Sequence, residues 1–209
     1  MTFETAYKAL SEWQTLIGAV LALVAALWTV HEMRKQTRGN DTRHLNELLR
    51  KKLAARAQMP DALSEMSEYV RKSCEYLVSG AAKPAAPVGA TSTLKAVIEH
   101  IDTKEVEKTF ELISWYQVQH ARLMGSENPK AAEKADLLYD AALLQAKVNR
   151  LFDYARNEPE EPLPDQLSQE ELIGSLKNAV TVMVWATNNA EFVQVIEKIK
   201  SRHASKKRK

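Results

Sequence analysis

From Trp13 to Val30 the chain reads WQTLIGAVLALVAALWTV, 18 residues without a charged side chain. No other stretch constrains the fold as strongly. At 1.5 Å rise per residue these residues make about 27 Å of helix, close to the hydrocarbon thickness of a bilayer. Trp13 and Trp28 bracket the run, where indole rings favour the headgroup level. Ser11-Glu12-Trp13-Gln14 resembles a capping box that opens the helix. A buried core helix is the competing reading, but core runs are usually about 10–14 residues long.

A secretory signal peptide is excluded on charge. It needs a basic segment ahead of the apolar run, whereas residues 1–12 carry a net charge of −1. Basic residues follow the run instead, Arg34, Lys35 and Arg38 first. Positive flanks stay in the cytoplasm, so the expected topology is N-terminus outside and C-terminal part inside. Within the span, Gly18, Ala22 and Ala26 recur four apart and share a helix face that permits close approach of a second membrane helix. Phe3, Ala6, Tyr7 and Leu10 recur at helical spacing ahead of the span and suit a short surface helix.

Charge is segregated along the remainder. Residues 31–56 carry +5, residues 57–197 carry −9, and residues 198–209 hold seven basic side chains and no acid. The single cysteine, Cys74, lies in a helical pattern between Val70 and Leu77, which reads as a buried thiol in a reducing compartment.

No proline occurs between Val30 and Pro60, and Leu45, Leu48, Leu49 and Leu53 lie on one side of that stretch. The membrane helix is therefore expected to continue as a stalk, weakest at Gly39-Asn40-Asp41. A second helix is expected after Pro60, with Leu63, Met66, Val70, Cys74 and Leu77 inward. Ser79–Ser92, with two prolines and two glycines, reads as a linker. Beyond it the pattern predicts a short helix through Leu94 and Val97, then one opened by Asp102 with Val106, Phe110, Ile113, Gln117 and Met124 in register. Leu137, Ala141, Leu144, Val148, Leu151 and Ala155 mark the clearest helical stripe. Ser168–Glu171 is a capping box for a helix carrying Leu172, Leu176, Ala179, Val180 and Met183, and Val180–Trp185 reads as a buried helix face. A turn at Asn188-Asn189 precedes Phe192, Ile196 and Ile199.

The fold class is thus all-α: a transmembrane helix continuing into a stalk, then a cytoplasmic helical bundle. The segments are a periplasmic or interfacial N-terminus (1–12), the span (13–30), a basic stalk and second helix (31–78), the linker (79–92), the bundle (93–200) and a basic tail (201–209).

Catalysis leaves no recognisable spacing. There is no phosphate-binding glycine loop, no His-Glu-x-x-His and no paired-histidine metal motif, so no catalytic residue, metal or cofactor is assigned. Glu99, His100, Glu105, Glu107 and Glu111 read as a solvated helix face. Trp115, Tyr116 and Trp185 read as core aromatics. The tail residues Lys206, Lys207, Arg208 and Lys209 suit an anionic surface. They lack interleaved aromatics to stack on bases, so specific nucleic-acid binding is not predicted.

Trp13-Gln14-Thr15-Leu16-Ile17-Gly18-Ala19, the Ala/Leu span, Trp28-Thr29-Val30 and Met33-Arg34-Lys35-Gln36 together resemble a group of uncharacterised bacterial single-pass membrane proteins. The resemblance covers about the first fifth of the chain and implies a bacterial inner-membrane location. The expected partners are the lipid bilayer, with anionic lipid at the basic flanks, and a protein partner or further copies of the chain. The leading functional expectation is a membrane-anchored helical adaptor or accessory subunit. The alternatives are a defence or stress effector that oligomerises in the membrane, and an enzyme with an unfamiliar site.

Overall fold

The computed structural model describes residues 3–156 and 166–206, with side chains for all of these except 3–12, 15, 38, 39 and 204–206. All regular structure among them is helical: α1 (Phe3–Ser79), α2 (Val88–Val97), α3 (Thr103–Gly125), α4 (Ala131–Arg156), α5 (Gln169–Asn178), α6 (Val182–Thr187) and α7 (Asn189–Lys206). The chain divides into two compact units, Met1–Arg50 and Lys51–Lys209.

The first unit is the N-terminal part of α1. Its apolar run is long and apolar enough to cross a membrane, and none of that window is buried against protein. The helix continues through Gly39-Asn40-Asp41, where the sequence suggests a kink. One glycine inside a helix costs only about 1 kcal/mol relative to alanine, which its neighbours absorb.

In the second unit α1 also continues through Pro60, so no second helix starts there. An interior proline removes one helical hydrogen bond and costs about 3 kcal/mol. Burial on both sides of it offsets that cost: Met59, Leu63, Met66, Val70 and Cys74 are fully enclosed and Leu77 nearly so. Each large apolar side chain among them contributes about 1.5–3 kcal/mol. The helix stops at Gly80, whose φ of 66° is the left-handed conformation that glycine adopts without strain. The Gly80 N–H donates to the Tyr76 carbonyl at 3.1 Å.

The segment between α1 and α2 is shorter than the 79–92 linker, because α2 begins at Val88. Pro84 and Pro87 are buried, and Lys83 donates from Nζ to the Met124 carbonyl at 3.1 Å, so this connection is packed. At Gly89 any Cβ would meet the Glu65 carboxylate at 2.7 Å.

Helix α4 is the centre of the unit and packs on α3, α5 and α7. It runs antiparallel to α1, since Arg56 donates to the Tyr154 carbonyl at 2.6 Å while Gln145 donates to Ser67 Oγ at 3.1 Å. Its predicted stripe, Leu137 through Ala155, is buried throughout. Helix α3 follows α1 in the same direction, joined by Lys52–Asp102 at 2.7 Å and Tyr69–His120 at 3.0 Å.

Two predicted faces are corrected. On α3 the buried residues are Glu105, Thr109, Leu112, Ile113, Tyr116, Gln119 and Leu123. Phe110 is 66% exposed and Gln117 is also outside. The helix packs on α4 and encloses Leu112 and Leu123, and that orientation carries three polar side chains inside. The Val180–Trp185 run is not one buried face either. Helix α5 ends at Asn178 and Thr181 caps α6 by accepting from the Val184 N–H, which leaves Val182 at 88% and Met183 at 79% exposure. The predicted box at Ser168 and Glu171 is present with both hydrogen bonds. Helix α7 buries Phe192, Val195 and Ile199 and reaches Lys206, beyond the expected boundary at 200.

Candidate functional site

The residues singled out for association lie on the first unit. With about 100° of rotation per residue, Gly18, Ala22 and Ala26 fall within one third of the helix circumference. The same sector takes Ala19, Ala25 and Thr29, all exposed. Leu16, Ile17, Val20, Leu21, Leu23, Val24 and Leu27 fill the remainder and are also exposed. Small and bulky side chains of the span are therefore separated onto two faces. Nothing approaches within 4 Å of a Cβ built on Gly18, so the small face is open. The Thr29 hydroxyl on this face donates to the Ala25 carbonyl at 2.8 Å. Ala19, Ala25 and Thr29 were legible in the sequence by the same rotation, although the four-residue spacing alone does not reveal them.

Trp13 and Trp28 sit on the bulky side, 15 residues or about 22 Å apart along the axis. Arg34 and Lys35 follow and are exposed. The side chains of Arg38 and Lys206, and residues Lys207, Arg208 and Lys209, lie outside the described residues.

No protein-family model matches the chain, and no curated protein or solved structure is significantly similar to it.

The second unit carries buried polar chemistry that the sequence did not announce. Gln145 donates to Asn149 Oδ1 at 2.8 Å as well as to Ser67, and Asn149 donates to Ser175 Oγ at 3.1 Å. This chain ties α1, α4 and α5 together. Glu105, expected on a solvated face, is buried and accepts from Lys108 Nζ at 2.7 Å. Tyr69 and Tyr116 meet edge to face at 5.2 Å beside His120, and Trp185 stacks on Phe192 at 4.5 Å. These rings pack against the core.

Two of the first three basic residues of the C-terminal run are engaged. Lys198 and Arg202 both reach Asp136 Oδ1, at 2.5 and 2.8 Å. The hydrogen bond from Lys198 holds Asp136 below the ordinary carboxylate range. One turn away Asp140 is buried and accepts from Arg122. Burial raises its pKa, and the Arg122 charge only partly opposes that.

Among the described residues no three His, Cys, Asp or Glu side chains are grouped to hold a metal ion. A groove of about 240 Å³ lies between the starts of α4 and α7, lined by Pro129, Lys134, Leu138, Glu191 and Gln194. It is smaller than ordinary small-molecule pockets of about 300–1,000 Å³. Its charged side chains are Lys134 and Glu191.

Proposed function

We propose that this chain is a membrane-anchored helical adaptor or accessory subunit of a bacterial inner membrane. Trp13–Val30 crosses the bilayer with the N-terminus outside, and the helices from Lys51 onward form a cytoplasmic bundle. Inside the bilayer the small-residue face around Gly18, Ala22 and Ala26 pairs with another membrane helix, a second copy or a partner's. Trp13 and Trp28 hold the span in register with the headgroups, while Arg34, Lys35 and Arg38 contact anionic lipid at the cytoplasmic exit.

The observation that supports this reading is the separation of small from bulky residues around the span. Lipid tails are as apolar as leucine, so burying apolar surface gives no reason to sort them. Close backbone packing of helices does, because it needs one face without side-chain bulk. The hydrogen bonds through Gln145 and Asn149 that tie α1, α4 and α5 together support a rigid packed unit that could present a binding surface.

A reporter fused after Lys209 tests the topology, and a two-hybrid assay within the membrane tests the pairing. Gly18→Ile places a branched side chain on the open face and is expected to abolish the pairing signal. An unchanged signal overturns the pairing, and recovery of the intact chain without detergent overturns the anchor. A defence or stress effector that oligomerises through the same face is the second reading. Growth arrest on overexpression that Gly18→Ile relieves would favour it over the adaptor.

A further inference from the structure

The groove of about 240 Å³ between the starts of α4 and α7 combines opposite charges with an apolar lining. Ala135 and Leu138 of α4 and Ala190 of α7 supply apolar surface, and Lys134 and Glu191 bring one ammonium and one carboxylate to the same space. Leu138 is buried, Lys134 half-buried and Glu191 exposed.

The two charges do not meet each other. Among the described residues neither the Lys134 nor the Glu191 side chain has an ion pair or a hydrogen bond. The charged neighbours that would otherwise take them up are engaged elsewhere. On α4, Glu133 accepts from the Ser126 hydroxyl, and Asp136 meets Lys198 and Arg202 of α7. A cation and an anion that share a groove without pairing suit a ligand that carries both charges itself, since each end then gains a charge-assisted hydrogen bond. The same arrangement selects against ligands with a single charge. An anion drawn to Lys134 meets the Glu191 carboxylate, and a cation drawn to Glu191 meets the Lys134 ammonium.

We propose that this groove binds a free α-amino acid with a small aliphatic side chain. Its carboxylate accepts from Lys134 Nζ, its ammonium donates to the Glu191 carboxylate, and its side chain lies against Ala135, Leu138 and Ala190. The volume fits a ligand of that size, being below the range of about 300–1,000 Å³ usual for larger small molecules. A peptide terminus is a poorer match, because it carries only one of the two charges. The groove lies wholly within the second unit, so this inference does not rest on the membrane reading.

Isothermal titration calorimetry of the full chain in detergent tests it, with L-alanine, L-valine and L-leucine as probes. The controls are 4-methylpentanoate, which is leucine without its amine, and 3-methylbutylamine, which is leucine without its carboxylate. Both are smaller than leucine, so steric exclusion does not explain their failure to bind. At least one of the amino acids is expected to bind in the millimolar range or tighter, and leucine at least about tenfold more tightly than either control, a difference of about 1.4 kcal/mol. Lys134→Met and Glu191→Gln should each weaken amino-acid binding at least about tenfold. Neither side chain has a partner to lose, so both variants should keep the parent's urea midpoint. Absence of binding by all three amino acids at millimolar concentration overturns the proposal. So does equal binding of leucine and its singly charged analogues, or amino-acid binding that both variants leave unchanged.

Discussion

Replacing Arg122 by methionine isolates the energetics of a buried carboxylate. Asp140 is 5% exposed and accepts from Arg122, whose own side chain is 46% exposed. Removing the partner of a fully enclosed ion costs about 3–5 kcal/mol. Here half the pair is solvated, and Arg202 also lowers the Asp140 pKa, so the expected loss is about 1–2 kcal/mol at pH 7.5. The loss depends on pH. Burial gives Asp140 a folded pKa above its unfolded value of about 3.9, so folding favours the protonated form. The stability from this group is present at low pH and is lost as pH rises through the folded pKa. Without Arg122 that pKa moves further up, so the difference between variant and parent is small near pH 4 and grows toward pH 7.5. Urea unfolding in detergent, followed by the fluorescence of Trp115 and Trp185, reads it. Arg122→Met combined with Asp140→Asn should recover most of the loss, because the uncompensated charge is gone. A loss of equal size at both pH values, or none at pH 7.5, would refute the argument.

Burial pushes the Cys74 thiol up to about 12, so iodoacetamide at pH 8 should label it only as fast as the unit opens; rapid labelling of the folded protein would contradict this. Ser168→Ala removes half of a complete capping box and should lower stability by about 1 kcal/mol, read from the urea midpoint. Gln145→Leu strips a donor from both Ser67 and Asn149 and should cost about 1–3 kcal/mol. Gln117→Leu on the exposed side of α3 should stay within about 0.5 kcal/mol of the parent.

Regular spacing told the truth wherever one face had one environment. The stripe from Leu137 to Ala155, the inward face from Leu63 to Leu77 and the box at Ser168 and Glu171 were legible because hydrophobic periodicity and capping chemistry are local. The two faces of the span were equally legible, since residue size and helical rotation need no tertiary information. Helix boundaries were harder. Pro60 carries a start signal, and only the enclosure of Met59 and Leu63 on either side made continuation the lower-energy choice.

The sequence by itself determined that the chain is helical, that it has one long apolar segment near its N-terminus, and where most inward residues lie. Tertiary structure alone decided which way α3 turns, with Phe110 out and Thr109 and Gln119 in, because two mixed faces of similar apolarity compete and the neighbouring helix breaks the tie. It likewise decided that Lys198 and Arg202 meet Asp136, since an ion pair between residues more than 60 positions apart depends on how α7 crosses α4. Local patterns fix which elements form; partners far apart in sequence are chosen only when those elements pack.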